Sequence, residues 1–142
     1  MIALACDHGG YKLKEEVKKY LEETGIEYKD FGTYSEERAD YPVYGVPAIK
    51  AVQNKECEKG ILICGTGFGM TILANKFKGI RCASCWNEDV AKLLKEHNNA
   101  NVLCLGAKDT MSDVAFKIVD AFMEAEFEVN YEEALIDYEE CQ

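Results

Sequence analysis

The chain opens on an unbroken apolar run, Ile2-Ala3-Leu4-Ala5-Cys6, that stops at Asp7-His8-Gly9-Gly10. A short run without alternation predicts a strand buried on both faces and ended by a loop. From Tyr11 the period changes. Leu13, Val17, Tyr20 and Leu21 recur at spacings of three and four between Lys and Glu, which predicts an amphipathic helix closed by Gly25. A second strand is expected over Ile26 to Phe31, then a polar loop from Thr33 to Tyr41. Val43, Val46, Ile49 and Val52 mark the next helix, and Gly45 and Pro47 place its expected start near Pro47.

Gly60 to Cys64 predicts a third strand, with Gly65-Thr66-Gly67-Phe68-Gly69 directly after it and a short helix over Met70 to Phe77. Ile80 to Ser84 reads as the fourth strand, Asn87 to Glu96 as a helix, and Asn101 to Leu105 as the fifth strand. Thr110 or Ser112 is the expected cap of a helix striped by Val114, Ile118, Val119 and Phe122. Tyr131, Leu135 and Tyr138 suggest a final short acidic helix. Five strands alternating with helices imply an α/β fold, a three-layer Rossmann-like sandwich around a five-stranded parallel sheet. Such sheets bind ligands at the carboxyl ends of their strands, beside the switch in strand order. The loops expected there are Asp7-His8, Cys64 to Gly69, and Asn98-Asn99 just before the fifth strand.

The 142 residues make one domain's worth of chain. Its net charge of −10 argues against a nucleic-acid or anionic-membrane partner, and no basic residue follows Lys117. Asp7 and His8 interrupt the first apolar run, so no signal peptide is expected, and no apolar stretch is long enough to span a membrane. Seven scattered cysteines, mostly in apolar strands, fit reduced thiols and a cytoplasmic location.

Three alternating glycines between a buried strand and a helix let a loop approach a ligand and aim N–H groups at an oxyanion or phosphate. The sequence Gly65 to Gly69 matches neither common nucleotide-binding glycine motif. Cys64 stands at the strand end, where a thiol of ordinary pKa about 8.5 can ionise and act as a general base; the other reading is a core cysteine. Asp7 and His8 are titratable groups at a strand end, suited to a cleft or to a structural hydrogen bond. His97, within Glu96-His97-Asn98-Asn99, fits acid–base chemistry or a favourable place at a helix terminus. Arg38 to Pro42 can bring a cation and the Tyr41 phenol to the site or to an interface, the alternative being surface ion pairing; Trp86 serves equally as pocket border, dimer contact or packing. The two histidines are too far apart in sequence to suggest a metal site, and Cys82-Ala83-Ser84-Cys85 has the spelling of a redox pair without its helix cap.

Taken together, Cys6 to Gly10, Gly32-Thr33-Tyr34 with Arg38 to Pro42, Ile63 to Gly69, Ala74-Asn75-Lys76, Gly79-Ile80-Arg81 and His97 to Val102 resemble the ribose-5-phosphate isomerase B family, which includes the galactose-6-phosphate isomerase subunits. The resemblance covers about residues 1 to 128. It implies an aldose–ketose isomerase that works through a cis-enediolate without cofactor or metal, on a small-molecule sugar or sugar phosphate. It also implies a homodimer, or a tetramer of such dimers, whose sites combine both chains. By the same resemblance Cys64 is the base moving a proton between C1 and C2, and Thr66 contacts the reacting oxygens. Asp7 and His97 open the sugar ring, with His97 reaching in from the partner chain. Asn98 and the Gly65, Gly67, Phe68 and Gly69 amides hold the oxyanion, and Asn75 supports that loop. His8, Arg38, Tyr41 and Lys108 complete the substrate-binding set.

The chain departs from the family at 129–142. Where the family has a Gly-Gly-Arg-His-x-x-Arg pattern, Tyr131 and Leu135 take the arginine positions, and Lys108 alone matches a third arginine. Two bidentate phosphate donors are thereby lost. That leaves open a free or differently phosphorylated sugar, a subunit of a hetero-oligomeric isomerase, or a flavodoxin-like binding module.

Overall fold

A computed structural model describes residues 1–128; the expected acidic helix and the positions Tyr131 and Leu135 lie outside the described residues. The strands are β1 (Ile2–Cys6), β2 (Tyr28–Asp30), β3 (Lys59–Cys64), β4 (Cys82–Ser84) and β5 (Val102–Gly106). The helices are α1 (Tyr11–Thr24), α2 (Tyr41–Gln53), α3 (Phe68–Ala74), α4 (Glu88–Asn98) and α5 (Ser112–Glu124). All strand pairs are parallel, in the order β2-β1-β3-β5-β4. This is the three-layer Rossmann-like arrangement the apolar runs imply, and its strand order reverses between β1 and β3.

Strand alternation divides the core in two. Ile2, Leu4, Cys6, Ile61, Ile63, Leu103 and Leu105 face α1 and α5, where they meet Leu13, Val17, Ile118 and Phe122. Ala3, Ala5, Leu62, Cys64, Val102 and Cys104 face α2 and α3, packing on Ile49, Val52 and Met70. Both faces are covered, which is why β1, β3 and β5 read as continuous apolar runs.

Several boundaries differ from the sequence expectation. Helix α2 begins at Tyr41 and carries Pro47 inside it. Val43 and Pro47 both lie on the exposed side, so the carbonyl that loses its donor is on the side open to water. Met111, without a side-chain bond, is the N-cap of α5, and Ser112 instead turns its hydroxyl to Glu16 of α1. Asn87 does cap α4, accepting the Val90 N–H at 2.9 Å. Among the described residues no helix is long and apolar enough to cross a membrane.

One fully buried charge fixes the edge of the sheet beside the switch point. The Lys14 ammonium, on α1, donates to Asp30 Oδ1 at 2.6 Å and to the Thr33 carbonyl at 2.6 Å. Asp30 also accepts the Gly32 N–H at 2.8 Å and pairs with Lys18 at 2.9 Å. The chain held this way continues the pairing with β1: Cys6 N–H donates to the Gly32 carbonyl at 2.7 Å, and Thr33 N–H to the Cys6 carbonyl at 2.9 Å. The last residue before Asp7 is thus clamped from the side.

Burial alone would raise the Asp30 carboxyl, but Lys14, the Gly32 N–H and Lys18 outweigh it and hold the group below its usual value of 3.8. An acid with a lowered folded pKa stabilises fully above its unfolded value, and that stabilisation is lost as pH falls through the folded one. Asp30→Asn leaves the Lys14 charge buried against a neutral amide and is expected to cost about 3–5 kcal/mol at neutral pH. Urea midpoints measured between about pH 5 and about pH 3 should fall less steeply for this variant than for the unaltered chain.

Candidate active site

The loops at the carboxyl ends of β1 and β3 meet at the switch point. Asp7 follows β1, its Oδ1 accepting the Gly10 N–H at 3.0 Å and its own N–H donating to the Ile63 carbonyl at 3.2 Å. A Cβ placed on Gly9 would lie 3.3 Å from Asp7 Oδ1 and 3.5 Å from the Gly65 nitrogen, so the two loops touch. His8 is exposed, and its Nδ1 accepts the Ala39 N–H at 3.1 Å with the Ala39 carbonyl 3.0 Å away. That contact draws the Arg38 to Asp40 segment to the same edge, with Arg38 exposed.

Cys64 ends β3 and is 4% exposed. Its sulfur accepts the Gly67 N–H at 3.2 Å, while Thr66 Oγ1 accepts the Phe68 N–H at 3.2 Å. Gly67 has φ 84°, the left-handed region that admits glycine at little cost. The loop is seated directly on β5: a Cβ on Gly106 would stand 2.5 Å from the Thr66 carbonyl oxygen, and the Lys108 N–H donates to the Gly65 carbonyl at 2.9 Å. The Lys108 stem crosses Gly65, with Nζ 3.9 Å from where a Gly65 Cβ would be, and the Tyr41 ring is 3.0 Å from the equivalent point on Gly69. Phe68 projects outward, 65% exposed.

This edge therefore gathers Asp7, His8, Arg38, Tyr41, Cys64, the loop Gly65 to Gly69, and Lys108. It offers a thiol, a carboxylate, loop amides and cations around the switch point, where sheets of this kind leave a crevice, a set suited to moving a proton next to a developing oxyanion.

His97 and Asn98 are not in this group. They occupy the last turn of α4, exposed, ahead of β5. The residue that follows them into the strand, Asn101, accepts the Gly60 N–H at 2.9 Å, and Gly60 is four residues before Cys64 on β3. At about 3.3 Å per residue this puts the turn roughly 13 Å from the thiol along the sheet. The expectation that Asn98-Asn99 joins the carboxyl-edge loops is thus corrected, because a segment preceding a parallel strand lies at the opposite edge from one following it.

Asn75 also acts elsewhere than expected. At the C-cap of α3, the end remote from the glycine loop, it donates to the Cys82 carbonyl at 2.8 Å and accepts the Cys82 N–H at 2.9 Å. It holds the start of β4. Cys82 and Cys85, three apart on an extended chain, turn to opposite faces: Cys82 lies 3.2 Å from Cys104, whereas Cys85 is buried in the other core layer. Burial pushes the Cys6 and Cys85 thiols up to about 12. Among the described residues no group of three or more His, Cys, Asp or Glu could hold a metal ion. A cavity of about 590 Å³ between α4 and α5, lined by Glu88, Lys92, Glu96 and Asp120 among others, shares no residue with the crevice.

The sequence gives no direct signal for two further residues that bear on the loop. Thr71 Oγ1 donates to the Gly67 carbonyl at 2.8 Å and lies 2.8 Å from Ser84 Oγ. A hydroxyl four residues after Gly67 fits a first-turn helix bond, but Ser84 arrives from β4 and is visible only in the fold.

Residues 2–137 match the Ribose/Galactose Isomerase family. The chain is 46% identical over 127 residues to ribose-5-phosphate isomerase B of Escherichia coli (strain K12), spanning 89% of this chain and 85% of the relative. It is 37% identical over 127 residues to galactose-6-phosphate isomerase subunit LacB of Clostridium acetobutylicum, spanning 89% and 73%. Among solved structures, a ribose 5-phosphate isomerase from Thermotoga maritima aligns with a TM-score of 0.92 at 46% identity over 96% of this chain and 94% of that one. Ribose-5-phosphate isomerase B from Mycoplasma genitalium, solved with bound ribulose-5-phosphate, aligns with a TM-score of 0.92 at 35% identity over 99% and 97%.

The seating of the loop on β5 has a direct test. Gly106→Ala forces its methyl against the Thr66 carbonyl and is expected to lower the stability read by urea denaturation by about 1–3 kcal/mol, the usual cost of overpacking.

Proposed function

Because the chain belongs to the Ribose/Galactose Isomerase family and is an aldose–ketose isomerase of the ribose-5-phosphate isomerase B type, we propose that it interconverts ribose 5-phosphate and ribulose 5-phosphate, in the cytoplasm, as a single-domain homodimer. The observation that carries the reading is the Cys64 thiol at the switch point, with the Gly67 N–H on its sulfur and the Asp7 loop in contact with its own. As thiolate, Cys64 takes the proton from C2 of the open-chain aldose and the electron pair moves onto the C1 carbonyl oxygen. The resulting cis-enediolate is held by Thr66 and the Gly65 to Gly69 amides; the C2 hydroxyl proton passes to the C1 oxygen, and Cys64 returns its proton to C1 as the C2 oxygen becomes the ketone carbonyl. Asp7 and His97 serve the preceding ring opening, and no cofactor takes part.

Lys108 and Arg38 are the cations, and His8 the further donor, that recommend themselves for the phosphate, since Lys108 crosses Gly65 and His8 holds the Arg38 segment through Ala39. Tyr41 borders the substrate from α2. A second reading, a free or differently phosphorylated sugar, draws on Tyr131 and Leu135 standing at the two family arginine positions, with no Lys or Arg after Lys117.

The dimer is needed because each chain keeps its own His97 and Asn98 near the opposite sheet edge, so the partner's α4 must supply them. Val43, Phe68, Ile72 and Trp86, each more than 60% exposed, offer apolar surface for such a partner.

Two experiments test this. The purified chain is expected to isomerise ribose 5-phosphate in preference to ribose, allose and hexose phosphates, with Lys108→Ala raising KM about tenfold or more; preference for a free sugar would establish the second reading. Cys64→Ala and His97→Asn are each expected to be inactive alone, yet mixing and re-equilibrating the two should restore roughly one quarter of full activity. Half the dimers are then mixed, and each mixed dimer has one intact shared site. No restoration would mean that the sites are not shared.

A further inference from the structure

We propose that Ser84 and Thr71 are positioning residues that aim the Gly67 N–H at the sulfur of Cys64, so that a hydroxyl on β4, two strands away from the base, sets how well that base works. The inference rests on the reading of Cys64 as the base.

The geometry is a chain of three contacts. Gly67 N–H donates to Cys64 Sγ at 3.2 Å. The Gly67 carbonyl accepts from Thr71 Oγ1 at 2.8 Å and from the Thr71 N–H at 3.1 Å. Thr71 Oγ1 lies 2.8 Å from Ser84 Oγ. With the Thr71 hydroxyl proton on the Gly67 carbonyl, which can only accept, Ser84 is the donor in the hydroxyl pair; the Thr71 side chain also meets the buried Cys104 thiol. The order of donation is Ser84 to Thr71 to Gly67, a relay in which each bond polarises the next.

Ser84 acts sterically as well. Its Oγ is 3.0 Å from where a Cβ on Gly67 would stand, so it abuts the one residue of the loop in the left-handed conformation, with φ 84° and ψ −15°. The relay fixes the peptide plane after Gly67, and the Ser84 contact limits rotation at its Cα. Together they determine where the N–H on the preceding plane points. A donor aligned on the sulfur favours the thiolate over the thiol, which is the form that removes a carbon-bound proton. Both hydroxyls act on Cys64 through Gly67.

The test compares Ser84→Ala, Thr71→Val and Thr71→Ser with the unaltered chain. Steady-state rates with ribose 5-phosphate are paired with the pH dependence of iodoacetamide alkylation at Cys64, read by mass spectrometry of its peptide. Ser84→Ala is expected to lower kcat about threefold to tenfold, the effect of one hydrogen bond, with KM little changed. Thr71→Val should lower kcat further, and Thr71→Ser, which keeps the hydroxyl, should stay near the unaltered rate. In the first two variants the alkylation profile of Cys64 should move to higher pH. A purely structural role would reduce the folded fraction but leave the profile of the folded protein in place.

Cys64→Ala, run alongside, separates the two claims. If it retains activity, the base assignment fails and the positioning role falls with it. If it is inactive while Ser84→Ala and Thr71→Val keep both kcat and the alkylation profile, the base assignment stands and the positioning role is overturned.

Discussion

The site depends on backbone resting against backbone at one edge of the sheet. The Thr66 carbonyl oxygen occupies the space a side chain on Gly106 would need, and the Gly65 and Cys64 carbonyls accept from Lys108 and Ala107 at 2.9 Å each. The glycine loop is therefore an extension of the β3–β5 pairing instead of a free connection. A loop held by its neighbours' main chain keeps its amide directions without reorganising when negative charge develops, and such preorganisation is where electrostatic stabilisation of an enediolate comes from. Cys64, nearly buried, stands at this edge because it is the last residue of a strand whose successors fold back over β5.

The other side of the crevice is held by a different kind of force. Lys14 and Asp30 form a buried ion pair that ties α1 to the end of β2, and through Gly32 and Thr33 to the last residue of β1. Such a pair is a weak source of net stability, because desolvation takes back most of the attraction. Its value is directional, since it leaves the Gly32 and Thr33 main chain one way to meet Cys6. Asp7 begins where that clamp ends, and the Ala39 contact of His8 closes the same loop from its far side.

Parallel topology then imposes a limit. Strands that all run the same way put every following loop at one edge and every preceding turn at the other, so one chain presents Asp7 and Cys64 together and holds His97 away from them. A chemistry that uses all three would draw His97 from a second copy of the chain, which is the physical ground for the homodimer proposed above.

Much of this is legible in the residues alone. The runs Ile2 to Cys6, Gly60 to Cys64 and Val102 to Leu105 declare strands buried on both faces, with Cys64 at a strand end and Asp7 and the alternating glycines on the loops that follow, because burial and turn chemistry are local properties of sequence. The start of α2 at Tyr41 was hidden by Pro47, whose cost is small only because that side of the helix faces water. Which edge His97 occupies, that Asn75 serves β4, that Cys82 meets Cys104 and not Cys85, and that Ser84 reaches Thr71 were decided by tertiary structure. Each depends on strand direction, strand order or the facing of a side chain across a neighbouring element, and these are set by packing between segments far apart in the chain. The sequence by itself determined which residues have chemistry to offer and which elements carry them; the fold decided which of them meet.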